Sequence, residues 1–245
     1  MKYFHSEYDL EFVLTENVDI AFKTHNHVSK YVVGLVLSGE LKISVEDKES
    51  IVSTEDIFII PIYSPHSMSM TMDDTKILSM CIGKEFINMY VHNQGQEILI
   101  RYIQELINQE VIKDKHGFAF EESMDIVVDL YQDQTKAVPY EIEKINQLLI
   151  SEPERRLEIE KLAREIYISK YYLIRKFKEE IGLTPHNFQL QNRIRKAQNL
   201  LKTGENITTV GMELGFYDQS HFIKTFKSVV GITPSEYIDS IKKIE

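Results

Sequence analysis

Two short segments of the chain place cations and hydroxyls along one side of a helical spacing and apolar residues along the other. Tyr171, Arg175 and Lys178 recur 49 positions later as Ser220, Lys224 and Lys227, with Ile174 and Ile223 at the border in each segment. At about 100° per residue these lie opposite Leu173, Phe177 and Ile181 in the first segment and Phe222, Phe226 and Val230 in the second. Arginine and lysine donate to guanine acceptors, tyrosine and serine hydroxyls reach phosphates or base edges, and isoleucine packs on a thymine methyl. Either segment alone reads as the solvated side of an ordinary helix. The same residue classes at the same phase, twice, make a reading face the better account.

The text around these residues repeats as well. FKEEIGLTPHNFQ, from residue 177, returns as FKSVVGITPSEYI from residue 226, so that Phe177, Lys178, Gly182, Thr184 and Pro185 match Phe226, Lys227, Gly231, Thr233 and Pro234. After Pro139 everything reads as helix. Ile142, Ile145, Leu148 and Leu149 give one apolar face, and 157–166 gives a second with Leu162, Ala163 and Ile166 inward. Ser169 is then an N-cap for a helix that runs to Ile181 and is closed by Gly182, while Thr184 and Pro185 open the next. Segments 207–214, 219–230 and 234–241 complete the set. Two helix-turn-helix units follow, at about 158–181 and 207–230, joined by helix 185–201. The candidate DNA-binding residues are Ser169, Lys170, Tyr171, Ile174, Arg175 and Lys178 in the first unit and Gln219, Ser220, Ile223, Lys224 and Lys227 in the second.

The net charge of −10 argues against a nucleic-acid partner only until it is divided along the chain. Residues 1–138 carry 11 Lys+Arg against 23 Asp+Glu, and residues 139–245 carry 17 against 15. The excess acid is all in the first part. Within the second, residues 169–202 hold Lys170, Arg175, Lys176, Lys178, Arg193, Arg195, Lys196 and Lys202 against Glu179 and Glu180, a stripe suited to phosphate. A single Cys, Cys81, excludes a disulfide framework and suits a reducing compartment. The N-terminus is too acidic for a signal peptide, and no apolar run approaches ~18 residues, so a cytoplasmic protein without membrane contact is expected.

Tyr31 to Pro61 has a different texture. The runs YVVGLVL, LKISV and IFIIP are separated by SGE and EDKES, and Leu41, Ile43 and Val45 alternate with polar residues, which predicts an antiparallel sheet or small barrel. From about Glu85 helical stripes take over, with Ile98, Tyr102, Leu106 and Gln109 in one and 122–131 in another. TKAVPYE, 135–141, reads as a boundary.

Residues 139–245 resemble the C-terminal domain of the AraC family of bacterial transcription regulators. The family pattern is carried by Leu162-Ala163, Ile168-Ser169, Tyr172-Leu173, Arg175-Lys176-Phe177-Lys178, Gly182-Leu183-Thr184-Pro185, Arg193-Ile194 with Ala197, Leu200-Leu201, and Gly215-Phe216 with Asp218, Ser220 and Phe222, then by the final FK and GITP. The resemblance implies two helix-turn-helix units on a rigid helix of ~25 Å, at ~1.5 Å per residue. Such a rod presents two recognition helices to successive major-groove segments ~34 Å apart. Gly211 stands where the family usually has Ala and is expected to loosen its helix slightly.

His25-x-His27, the turn from Ser38 to Leu41, and DIFIIPIYSPH from Asp56 to His66 resemble the cupin-like sensory domain that precedes the DNA-binding part in many AraC relatives. The fold class implied is α+β in two domains. Residues 1–134 form a cupin-like β-barrel with helices, for effector binding and dimerisation, and 139–245 form the all-α double helix-turn-helix domain. His25, Tyr31, Tyr63 and His66 are the expected effector contacts at the barrel mouth, with a structural hydrogen-bonding role as the alternative for the histidines. Metal cupins add a Glu about four residues past the second His, where this chain has Tyr31, so no metal, no cofactor and no enzymatic activity are expected.

The function implied is a sequence-specific DNA-binding transcription regulator under a small-molecule effector, with a metal-dependent cupin enzyme fused to a DNA-binding module as the alternative. Its partners would be double-stranded promoter DNA, a neutral or cationic effector, a second copy of the chain through the helices of 85–133, and RNA polymerase as a further candidate.

Overall fold

The computed structural model describes every residue except 6–7, 17–20, 28, 47, 71–73, 133–137 and 244–245, and only the backbone of 21–23 and 242–243. The start of the expected boundary, 135–137, thus lies outside the described residues. The chain divides into two compact units, Met1–Thr135 with Ser240–Glu245, and Lys136–Asp239.

In the first unit the strands are β1 (Lys2–His5), β2 (Leu10–Glu16), β3 (Ala21–His25), β4 (Lys30–Ser38), β5 (Glu40–Val45), β6 (Lys48–Ser53), β7 (Ile57–Ile60), β8 (His66–Met70) and β9 (Lys76–Gly83). Helices α1 (Lys84–Val91), α2 (Gln94–Asn108) and α3 (Asp114–Gln132) follow. A short strand from the end of the chain, β10 (Ile241–Lys243), joins them, and the order across the larger sheet is β10-β1-β2-β9-β4-β7. The smaller sheet runs β3-β8-β5-β6. The two sheets share an apolar layer of Val32, Val36, Leu41, Ile43, Val52, Phe58, Ile60 and Ile77.

Strand β4 is buried on both faces, and its two-residue alternation decides where its side chains go. Val32 and Val36 enter the layer between the sheets. Tyr31, Val33 and Leu35 point the other way, into a core with Phe12, Phe86, Tyr102, Leu106 and Phe120. The Tyr31 hydroxyl donates to the Leu130 carbonyl of α3 at 3.4 Å. Tyr31 is therefore a core residue on the helix side of its sheet, which corrects its expected place among the effector contacts. The stripe on α2 has a similar fate: Leu99, Tyr102, Ile103 and Leu106 are buried in the unit's own core. Ile100, Phe118 and Ile126 are the large apolar residues that α2 and α3 leave exposed.

The second unit holds α4 (Tyr140–Ser151), α5 (Ile159–Glu165), α6 (Lys170–Ile181), α7 (Pro185–Lys202), α8 (Ile207–Glu213), α9 (Gln219–Val230) and α10 (Pro234–Ser240). The caps explain these bounds. The hydroxyls of Ser169 and Thr184 accept from the Tyr172 and Asn187 amides, the Asp218 carboxylate accepts from the His221 amide, and Pro185 takes the first helical position. Gly182 (φ 83°) and Gly231 (φ 91°) end α6 and α9 in the left-handed conformation that costs other residues a Cβ clash.

Beyond α10 the helical expectation fails. Ile241–Lys243 is extended and pairs in parallel with β1, Tyr3 opposite Ile241 and His5 opposite Lys243. Without this strand β1 would be an edge with unpaired N–H and C=O groups, and pairing that edge outweighs the weak helical preference of three residues.

Candidate functional site

Helices α6 and α9 bury equivalent faces. Leu173, Phe177 and Ile181 are fully buried, as are Phe222 and Phe226, and Val230 is nearly so. Each such side chain contributes about 1.5–3 kcal/mol by leaving water. The Phe177 ring meets Phe188 of α7 edge-on at 5.4 Å, and a chain of rings runs Phe216, Phe222, Phe226, Tyr237 at 5.1, 5.8 and 5.5 Å. Burying these faces fixes the rotation of each helix. The outward set is then Ser169, Tyr171, Arg175 and Lys178 on α6 and its cap, and Gln219, Ser220, Lys224 and Lys227 on α9, all exposed, with Lys170, Ile174 and Ile223 half-buried beside them.

The cations are not equally available. Lys170 bridges to Glu160 at 2.6 Å, which raises its pKa and lowers that of the glutamate. Arg175 lies 3.6 Å from Glu179 with its guanidinium over the Tyr172 ring, and Lys176 is held by Glu180 at 2.6 Å. Arg193, counted in the basic stripe of the sequence, proves to be a structural clamp. From α7 it donates to the carbonyls of Pro153 at 2.7 Å and Gly215 at 3.0 Å, tying the α4–α5 loop to the turn of the second unit. Its guanidinium also lies over the Phe216 ring, and burial lowers its pKa. Lys196 pairs with Glu154 at 2.9 Å in the same region.

Gly211 has a packing reason. A Cβ there would sit 3.1 Å from Cδ1 of the buried Phe222 ring, so the missing methyl lets α8 approach α9 closely. The sequence shows the substitution and misses this contact.

In the first unit, the register of β3 on β8 sets His25 opposite His66, with a bulge between Phe22 and His25. His27 follows two residues on, and three hydrogen bonds hold the turn: the Tyr63 amide donates to the His27 carbonyl at 2.7 Å, Asn26 Nδ2 to the Tyr63 carbonyl at 3.4 Å, and Ser64 Oγ to Glu46 at 2.8 Å. Tyr63 sits at φ 63°, a strained value for a residue with a side chain. The outcome is a cluster of three imidazoles, His25–His66 at 4.2 Å, His27–His66 at 4.9 Å and His25–His27 at 5.3 Å between ring centroids. His66 is buried and donates from Nδ1 to the Ser64 carbonyl at 3.0 Å. Its Nε2 is buried with no hydrogen-bond partner. Burial first, then the neighbouring His25, pushes the His66 pKa down to about 3, so the ring is neutral with its lone pair on Nε2. Of the four expected effector residues the structure thus brings together His25, Tyr63 and His66 and sets Tyr31 apart. His27 joins the cluster unanticipated, although its two-residue spacing from His25 was a readable signal.

Comparison with known proteins follows the same division. Residues 162–240 match the family model described as a helix-turn-helix domain. The regulator MtrA of Neisseria gonorrhoeae is 33% identical over 105 residues, which is 42% of this chain and 34% of MtrA. An uncharacterized HTH-type transcriptional regulator of Haemophilus influenzae is 23% identical, with 86% of this chain and 87% of that protein covered. Among solved structures, ToxT of Vibrio cholerae O395 superposes with a TM-score of 0.63 at 18% identity, over 95% of this chain and 98% of ToxT. A ToxT structure with a bound unsaturated fatty acid gives 0.60 at 17% identity, over 96% and 98%.

The fold is α+β in two domains, a β-rich domain followed by a helical helix-turn-helix domain. The helical part of the chain, 162–240, thus carries a helix-turn-helix domain, and the proteins that it resembles are described as transcription regulators. Among the described residues no helix is long and apolar enough to cross a membrane.

Proposed function

We propose that the chain reads promoter DNA in the cytoplasm with α6 and α9 and that a small ligand in the β-rich unit controls this reading. The observation that carries the first half is the matched pair of outward faces on α6 and α9, both on α7 and both in phase. The residues assigned to DNA are Ser169, Lys170, Tyr171, Ile174, Arg175 and Lys178, with Gln219, Ser220, Ile223, Lys224 and Lys227. Residues 139–245, apart from the end of the chain that pairs with β1, are the DNA-binding domain and 1–134 the effector-binding and dimerisation domain. Dimerisation fits the exposed Ile100, Phe118 and Ile126, and a second copy doubles the basic footprint. RNA polymerase would meet the promoter-bound protein.

The second half is supported by the imidazole cluster with Tyr63 beside it. A neutral or cationic ligand suits it, because an excess of 23 acids over 11 bases in residues 1–138 repels anions. The likeness to ToxT carries the fold and not its fatty acid.

Selection of random duplexes by the full chain tests the DNA reading. Two enriched motifs about one helical turn apart are expected, with affinity falling steeply as salt rises. Failure to enrich any sequence would leave only non-specific phosphate binding and end the proposal.

A further inference from the structure

We propose that His25, His27 and His66 form a binding site for a divalent transition cation of the zinc, cobalt or nickel class. The inference rests on reading this cluster as the effector site and names the chemistry of what it holds.

Geometry comes first. One ligand nitrogen from each of the three residues lies within 4.8 Å of the others. Tetrahedral zinc with bonds of about 2.05 Å needs about 3.3 Å between ligand nitrogens. The difference is closed by rotating His25 and His27, both only half-buried, with His66 as the fixed member. The bulge before His25 and the Tyr63–His27 hydrogen bond hold the backbone that this rotation starts from.

His66 supplies the second, independent observation. Its Nδ1 proton is committed to the Ser64 carbonyl, the arrangement that orients a ligating histidine and fixes its tautomer. That leaves Nε2 as a bare lone pair, buried and without a donor, on a ring that lies against the other two. Leaving a buried acceptor unsatisfied is unfavourable. A cation shared with the other two imidazoles is the occupant that uses all three rings.

The donor set selects among metals. Three neutral nitrogens suit zinc, cobalt, nickel or copper, and neither magnesium nor calcium, which take oxygen ligands. With no carboxylate among the three, a bound ion keeps its double charge inside an acidic domain that attracts it. Three protein ligands also leave a tetrahedral ion one open position, for water or for an oxygen or nitrogen atom of an organic effector. The absent Glu of metal cupins then has a consequence: the site holds its ion through imidazoles alone and leaves the fourth position to a ligand from solution.

The test uses the tag-free full-length protein, stripped with a chelator and titrated with Co²⁺ and then Zn²⁺. One equivalent of Co²⁺ per chain is expected, with the visible bands of a tetrahedral nitrogen site, displaced by Zn²⁺. His66→Ala and His27→Ala should each weaken uptake on the order of 100-fold, since loss of an outer-shell partner alone costs up to that. His92→Ala, whose exposed ring bonds the Asn88 carbonyl, should leave uptake unchanged. His66 is buried, so the half-buried His27 variant, checked for folding by circular dichroism, keeps the test decisive if His66→Ala does not fold. No stoichiometric uptake, or uptake of unchanged affinity in folded His27→Ala, overturns the site. DNA affinity measured on the same samples separates the two proposals. Metal uptake without any change in DNA affinity supports the site and overturns its control of DNA binding. An organic effector response in a protein that takes up no metal does the reverse.

Discussion

In the first helix-turn-helix unit the cations of the recognition segment lean on acids, Lys170 on Glu160, Arg175 on Glu179 and Lys176 on Glu180. In the second, α9 contains no acid, and Lys224 and Lys227 have no ion pair within 4.0 Å among the described residues. The turns differ too, four residues from 166 to 169 against five from 214 to 218. Tyr167 takes the left-handed conformation (φ 57°) in the first, where the second has Gly215 (φ 73°). A repeated local text therefore yields one recognition helix on which Lys170, Arg175 and Lys176 pair with acids while, among the described residues, Lys178 does not, and one whose lysines face outward without ion pairs. Electrostatic attraction should come mostly from the unpaired Lys178, Lys224 and Lys227, and the first unit should add contacts through Tyr171 and the stacked Arg175.

The largest test of this comparison removes what ties the units together. Arg193→Ala leaves the Pro153 and Gly215 carbonyls without their charged donor and should destabilise the protein by about 3 kcal/mol in urea unfolding. A loss below about 1 kcal/mol would show that the turn of the second unit holds without the clamp.

Next in size is the DNA contact itself. Lys224→Ala should weaken specific binding by about 2–3 kcal/mol and flatten the salt dependence. Arg175→Ala should cost about 1 kcal/mol and chiefly relax sequence preference, while Lys178→Ala should weaken all sequences alike. Equal losses on specific and random DNA for Arg175→Ala would move that residue to the phosphates.

A smaller effect of opposite sign probes the neutralisation directly. Glu179→Gln removes the acid beside Arg175 and should tighten DNA binding by about two- to threefold at low salt, the scale of an exposed ion pair. No change at low salt would mean that Glu179 already leaves Arg175 when DNA arrives.

The smallest is Gly211→Ala. Helix propensity favours Ala by about 1 kcal/mol. The new methyl meets Phe222, which is wedged between Phe216 and Phe226 and has little room to yield. The two should cancel to within about 0.5 kcal/mol in thermal unfolding. A gain of the full propensity difference would show that the aromatic chain can shift.

Much of the helical unit was legible residue by residue. Ser169, Thr184, Gly182 and the split between Leu173/Phe177 and Arg175/Lys178 are local signals, each acting within a turn or two of backbone. Arg193 was misjudged because its partners, Pro153 and Gly215, are distant in sequence and are bare carbonyls that no residue type announces. In the β-rich unit the strand runs from 31 to 61 were legible, and the assignment of their faces was not. Tyr31 sits one residue from Val32 on a strand buried on both sides, where hydrophobicity cannot say which side is the helix layer.

What the sequence determined by itself is the double helix-turn-helix, its caps and the phase of its two outward faces, because a helix is specified by interactions three or four residues apart. Only the tertiary structure decided that His27 stands with His25 and His66, that Tyr31 does not, and that Ile241–Lys243 is a strand. Each of these depends on which strand lies beside which. The register of β3 on β8 joins residues 25 and 66, and that of β10 on β1 joins residues 241 and 3. Pairing of that kind is settled by the packing of whole sheets, and no local pattern along the chain encodes it.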